Sequence, residues 1–280
     1  MKNKVIIKAK TDLGVHIDGA NLGPDKIHSN GNELSIEKDK IIKEKNSNNL
    51  RKNEKAINAF NINLYNCVTS VLKNNKMPII IGGDHSLSIG SALAVNDYYN
   101  GVGVIWFDSH GDFNTFKTTR SGNIHGLPLA TISGYENQEL REFAKGFVNP
   151  KNVVIIGARS IDKWEIGNLT DAGVTIFTTN DVITKGVETV VKLAIEIAGK
   201  NTNGIHVSYD IDMIDPFDAP GVSIAEVNGI SKADALKMVD YLYDSKIKSF
   251  DLVEYNPLKD IDDKTLKIAK EILDKIKKNL

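Results

Sequence analysis

One cysteine, Cys67, in 280 residues rules out an intrachain disulfide framework and fits a reducing compartment. An excess of either charge is also missing, since 35 Lys and Arg stand against 36 Asp and Glu, for a formal net charge of -1. That balance gives no global attraction toward nucleic acid or an anionic membrane, and no basic-aromatic platform is apparent. No apolar run approaches the roughly 20 residues of a membrane span, and the N-terminal stretch lacks a long apolar core of signal-peptide type. A cytoplasmic protein is expected, with neither membrane nor nucleic acid among its partners. Internal repeats and Pro/Ser-rich linkers are absent too. With 41% hydrophobic residues, the expectation is a single domain over residues 1–280 with one sizeable core.

Strand-length apolar runs recur at Val5–Lys10, Pro78–Ile81, Val102–Phe107, Val153–Ile156, Val174–Phe177, Ile205–Ile211 and Ile247–Val253. Between several of them lie helix-length stretches, including Gly186–Ala198, Lys232–Leu242 and the amphipathic tail Lys264–Leu280. This alternation predicts an α/β fold with helices around a mainly parallel sheet. An atypical Lys/Asn-rich segment near residues 34–55 fits either a helix or a solvated excursion.

In such a sheet, functional residues belong just past the carboxyl ends of the strands. Three polar clusters fall there. Gly82-Gly-Asp-His-Ser86 follows the second run, and its glycines permit a sharp turn that sets Asp84 and His85 at the strand mouth. Taken alone, His85 fits a structural role as well as a ligand role. Asp108-Ser-His-Gly-Asp112 follows the third run, and alternate spacing would put Asp108, His110 and Asp112 on one side of an extended segment. A polar turn is the competing account. Asp210-Ile-Asp212 closes a hydrophobic strand, where burying two carboxylates is costly unless cations or hydrogen bonds compensate. The oxygen-rich donor set favours Mg²⁺, Mn²⁺ and related ions over a thiolate zinc site. Two neighbouring cations need bridging anions, and Asp108 and Asp210 are the natural bridges.

At these residues the chain resembles the arginase (ureohydrolase) family, in its arginase branch. The motifs are Gly82-Gly-Asp-His-Ser86, Asp108-Ser-His-Gly-Asp-Phe-Asn-Thr115, Ser121-Gly-Asn-Ile-His-Gly126, Ser208-Tyr-Asp-Ile-Asp212 with Asp215-Pro216, and Glu254-Tyr-Asn-Pro257. They occur in the family's order, with a looser match at Gly19-Ala-Asn-Leu-Gly-Pro24. The resemblance implies an arginase-like three-layer α/β/α sandwich around an eight-stranded, mostly parallel sheet. It also implies two Mn²⁺ ions, one held by His85, Asp108, Asp112 and Asp210, the other by His110, Asp108, Asp210 and Asp212. Asp84 then orders the loop. The implied reaction is hydrolysis of the guanidinium group of L-arginine to urea and L-ornithine by a hydroxide shared between the ions. Asp112 would hydrogen-bond that hydroxide, Asp212 would assist proton transfer, His125 would protonate the departing amine, and Glu254 would pair with the guanidinium. The implied assembly is a homotrimer or homohexamer.

Substrate choice rests on a second set of residues. By motif position, Asn114, Thr119, Ser121 and Asn123 would meet an α-carboxylate as neutral donors, and Asp162 and Glu165 would meet an α-ammonium. This intact loop favours L-arginine over agmatine, which has no such carboxylate. Several positions depart from the family pattern. Where arginases carry Gly-Thr-Pro and a Gly-Gly pair, this chain reads Ser223-Ile-Ala-Glu-Val-Asn-Gly229, so Ile224 has no hydroxyl, Ala225 is less rigid than proline and Glu226 adds a charge. Ala233 replaces an arginine common at the trimer interface, and the segment Lys38–Asn53 suggests that one or two peripheral strands are missing or displaced. Two alternatives therefore stand beside arginine hydrolysis: a ureohydrolase for another guanidino acid, and a metal-binding arginase-like protein without turnover.

Overall fold

The structure, a computed structural model, describes residues 3–29, 33–37, 49–243 and 246–280. Its first half runs β1 (Lys4–Lys10), α1 (Gly23–Ile27), β2 (Leu34–Glu37), α2 (Glu54–Lys73), β3 (Met77–Gly82), α3 (Ser88–Tyr99), β4 (Gly103–Phe107) and α4 (Pro128–Ile132). The second half continues with β5 (Val153–Ala158), α5 (Lys163–Ala172), β6 (Thr175–Thr178), α6 (Thr179–Lys185), α7 (Val187–Ala198), β7 (Ile205–Asp210), α8 (Lys232–Tyr241), β8 (Ile247–Val253) and α9 (Lys264–Asn279).

The strands form one eight-stranded sheet in the order β2-β1-β3-β8-β7-β4-β5-β6, and every pairing is parallel. Parallel strands need both faces covered, which explains the continuous apolar runs. Alternate side chains supply two cores. Ile105, Phe107, Val207 and Tyr209 pack toward α7, α8 and α9, whereas Val104, Trp106 and Ile80 pack toward α2, α3 and α4. Helix α9 shows the matching pattern, burying Ile268, Ala269, Ile272, Leu273 and Ile276 on one stripe. The result is the expected three-layer sandwich.

The sheet edge differs from the sequence expectation. Strand β2 is present and pairs with β1 from Ile7↔Leu34 to Lys10↔Glu37, so eight strands stand in the sheet among the described residues. Its four residues are too short, and too exposed, to show a burial pattern. Residues 38–48 of the Lys/Asn-rich segment lie outside the described residues, and α2 starts at Glu54. Among the described residues no helix is long and apolar enough to cross a membrane.

Register decides where the polar clusters meet. Phe107 aligns with Tyr209, Asp210 with Val253, and Ile81 with Leu252. The carboxyl ends of β3, β8, β7 and β4 therefore lie side by side.

Candidate metal centre

The loop after β3 is seated against the loop after β1. A Cβ on Gly83 would lie 1.7 Å from the Thr11 carbonyl oxygen, so a residue without a side chain is required there. Asp84 fastens the same contact, its carboxylate accepting from the Ser86 and Gly14 N–H groups at 3.0 and 3.1 Å. This ordered turn delivers His85 to the site.

The imidazole of His85 is buried and stacks on Trp106, with ring centroids 4.0 Å apart. Its Nε2 meets Ser208 Oγ at 2.8 Å, which leaves Nδ1 to face the carboxylates. Around Nδ1 stand Oδ2 atoms of Asp210, Asp108 and Asp112 at 3.0, 3.1 and 3.2 Å. Yet Nδ1 makes no hydrogen bond of acceptable geometry. Donor atoms spaced this way without bonding one another are arranged as around a shared ion, because adjacent ligands at right angles, roughly 2.0–2.6 Å from a cation, lie about 2.8–3.7 Å apart.

A second group adjoins the first. His110 Nδ1 is 3.0 Å from Asp212 Oδ2 and 3.3 Å from Asp108 Oδ1. His85, Asp108 and Asp210 form one potential ligand set and Asp108, His110 and Asp212 the other. Together they make a binuclear metal-binding site. Asp108 belongs to both sets; Asp210 groups with the first, and Asp112 approaches it through His85.

The carboxylates are held from behind. Trp106 Nε1 donates to Asp108 Oδ2 at 3.0 Å, and Ser109 donates to Asp212 Oδ1 through N and Oγ at 3.2 and 2.8 Å. The N–H groups of His110 and Asp212 turn back to Asp108 and Asp210 at 2.6 and 2.7 Å. Sequence reading had missed Trp106, Ser208 and Ser109. Trp106 and Ser208 each lie two residues before a clustered aspartate, so strand alternation carried the signal for both.

So many buried acids repel one another. Burial, followed by the charge of Asp108, pushes the Asp112 carboxyl up to about 7. Burial together with Asp212 and Asp108 lifts Asp210 well above the usual carboxylate range. Divalent cations would relieve this repulsion, and the nitrogen and oxygen donor set fits hard or borderline ions such as Mn²⁺.

Asp112 and Glu254 also adopt positive backbone φ values of 48° and 67°. A left-handed conformation at such residues is strained, by about 1–3 kcal/mol, and is retained only where surroundings enforce it. Glu254 Oε1 accepts the His85 backbone N–H at 2.9 Å and lies 3.2 Å from His125 Nδ1. Burial works against a charged His125, but the hydrogen bond and charge of Glu254, aided by Asp112 and Asp84, raise its pKa.

A cleft of about 370 Å³ opens beside this centre. His110, Asp112 and His125 reach it, and Asn114, Thr119, Ser121, Asn123, Asp162 and Glu165 line its wall, joined by Ile224 and Glu226. The wall is internally bonded. Asn114 Nδ2 donates to Asp162 Oδ2 at 3.1 Å, Thr119 Oγ1 accepts from Gly122 N at 3.1 Å, and Ser121 Oγ accepts from Asn123 N at 3.2 Å. Asn123 Nδ2 contacts His16 Nδ1 at 2.9 Å. Both oxygens of Glu165 accept backbone N–H groups, from Phe113 and Asp162, each at 2.9 Å. Glu165 thus ties the first turn of α5 to the Asp112 loop, a task its sequence position did not announce.

A model described as Arginase family matches residues 2–277. The chain is 35% identical to arginase from Bacillus subtilis strain 168, covering 97% of this chain and 96% of that relative. It is 38% identical over 204 residues to arginase from Staphylococcus aureus strain COL, covering 72% of this chain and 68% of the relative. Among solved structures, Entamoeba histolytica arginase in complex with L-ornithine superposes with a TM-score of 0.92 at 30% identity, covering 99% and 98% of the two chains. Proclavaminate amidino hydrolase from Streptomyces clavuligerus shares the fold, with a TM-score of 0.77 at 24% identity over 98% and 90%. Fold, motif order and full-length similarity agree: the chain belongs to the arginase family.

Proposed function

We propose that this protein hydrolyses the guanidinium group of L-arginine to urea and L-ornithine, with two Mn²⁺ ions as cofactors. The observation that carries the reading is that one cleft is lined by His110 of the second ligand set, by Asp112 beside the first, by His125 and by Asn114, Thr119, Ser121 and Asn123. The arginases among its relatives support the substrate.

His85, Asp108, Asp112 and Asp210 would hold one ion, and His110, Asp108, Asp210 and Asp212 the other. Bound there, the ions supply Lewis acidity that makes water nucleophilic near neutral pH. The protein's own groups do the rest. Asp112, ionised once cations displace its proton, accepts a hydrogen bond from the attacking water and orients it. Asp212 takes part in moving the proton as the tetrahedral carbon collapses. His125, kept protonated to higher pH by Glu254, delivers a proton to the departing amine nitrogen. Glu254, steadied by the His85 N–H, offers its carboxylate to the planar guanidinium. Asn114, Thr119, Ser121 and Asn123 present neutral donors to the α-carboxylate, with Asp162 and Glu165 on the ammonium side; the bonds already made by Glu165 leave Asp162 the freer of the two.

The test is urea release in the presence of Mn²⁺ from arginine, agmatine and a series of guanidino acids. Arginine is expected to be the preferred substrate. Ile224 on the cleft wall favours one second reading, hydrolysis of another guanidino acid with a more apolar chain. A preference within the panel separates the two. Arginine binding without urea from any compound would sink both and favour a non-catalytic metal protein.

A further inference from the structure

Glu226 has no part in the chemistry above, yet it is the acid nearest the outward edge of His110. Nδ1 of that imidazole faces Asp108 and Asp212. Its Nε2 faces the opposite way, 3.8 Å from Glu226 Oε1. Glu226 lies in the segment where the sequence leaves the family pattern, so its place could not be read from motif order.

The segment is not loosely placed. One guanidinium, that of Arg159, fastens it to the metal-side backbone. Nη2 donates to the carbonyls of Glu226 and Asp212 at 2.7 and 2.9 Å, Nη1 to that of Met213 at 2.9 Å, and Nε to that of Val227 at 3.1 Å. Farther along, Gly229 N donates to Asp215 Oδ2 at 2.8 Å. The backbone of Glu226 is thereby held in register with Asp212, while its side chain, 36% exposed, keeps the rotameric freedom to close on the ring.

A histidine that ligates through one ring nitrogen generally donates its other N–H to a carboxylate, carbonyl or water, which fixes the tautomer and raises ligand basicity. Among the described residues, Glu226 is the carboxylate within 4 Å of His110 Nε2. Ser109 Oγ sits 3.0 Å from Nδ1, on the ligand side. We propose that Glu226 is a positioning residue whose carboxylate accepts the Nε2–H of His110, turning Nδ1 toward the ion held with Asp108 and Asp212 and tightening that ion selectively. The inference rests on the two-ion reading of the site. It involves no covalent step and no substrate.

The experiment titrates the full-length protein with Mn²⁺ alone, following free Mn²⁺ by electron paramagnetic resonance, for the unaltered chain, Glu226→Gln and Glu226→Ala. Loss of an outer partner of a ligand histidine typically weakens metal binding by about 10- to 100-fold. Glu226→Ala is expected to weaken one of the two ions by that factor and leave the other unchanged. Glu226→Gln should fall between, because its amide oxygen still accepts a hydrogen bond without the charge. Thermal melting of the metal-free proteins should coincide, which a merely structural role would not allow. Unchanged affinities for both ions overturn the proposal. So does a rise in KM for arginine with both affinities unchanged, since that outcome makes Glu226 a substrate contact. If the unaltered protein fails to bind two ions, the binuclear reading falls first and this inference with it.

Discussion

At the scale of single residues, the two histidines are not equivalent. His85 is buried, stacked and bonded on its far side, whereas the His110 side chain is 22% exposed at the cleft edge. Replacing His110 with alanine should therefore leave the fold intact while removing a donor from one ligand set. Urea release is expected to drop by more than about 100-fold, with one ion lost per chain by elemental analysis; full activity at full metal content would contradict the assignment. Ile224→Thr probes the cleft wall. Adding a hydroxyl to the cleft should raise kcat/KM for arginine by roughly twofold to tenfold, the ~0.5–1.5 kcal/mol of one hydrogen bond, and unaltered kinetics would remove Ile224 from specificity. The histidines and aspartates of the centre were legible because each begins or follows a strand-ending motif. Glu226 was not, because its contact with His110 joins two distant segments across a turn whose path only the folded chain defines.

At the scale of elements, strand and helix positions were largely readable from apolar runs and amphipathic stripes, since parallel strands buried on both faces keep few polar residues. Strand β2 escaped because an exposed four-residue edge strand, Leu34–Glu37, buries too little to leave a pattern. Glu165 shows the complementary limit. Its motif position suggested a group facing substrate, and it does line the cleft; the start of α5 also presents unpaired N–H groups that a carboxylate three residues on can satisfy. Removing that carboxylate in Glu165→Ala should strand the N–H groups of Phe113 and Asp162 and cost about 1–3 kcal/mol. Burial pushes the Glu165 carboxyl up to about 7, which offsets part of this loss above neutral pH. Denaturant unfolding of the metal-free protein measures it, and unchanged stability at pH 6 would show that the α5 cap is expendable.

At the scale of the whole molecule, metal, proton and folding equilibria are linked through the acidic centre. Asp112 and Asp210 have folded-state pKa values raised above those of an unfolded chain. In the metal-free protein their contribution therefore favours the folded state below the ordinary carboxylate range and is lost as pH rises toward about 7. Cations must displace those protons. Mn²⁺ affinity should consequently increase as pH rises through about 7, where Asp112 gives up its proton. Calorimetric titration at pH 6 in buffers of different ionisation enthalpy is expected to give buffer-dependent heats. Equal heats in every buffer at pH 6 would mean that the acids are already ionised without metal.

Strand β8 adds a temporal constraint. It lies between β3 and β7 in the sheet, yet it is the last of these eight strands in chain order and so the last of them to leave the ribosome. Until it inserts, the His85-bearing edge and the Asp210-bearing edge have no shared neighbour, and the Glu254 that touches His85 is not yet in place. A nascent chain thus carries all its prospective ligands before the strand that joins their two edges is in place. Competence to retain a metal pair arrives as a late, all-at-once event of synthesis, after long-range pairing has paid its loop-closure cost.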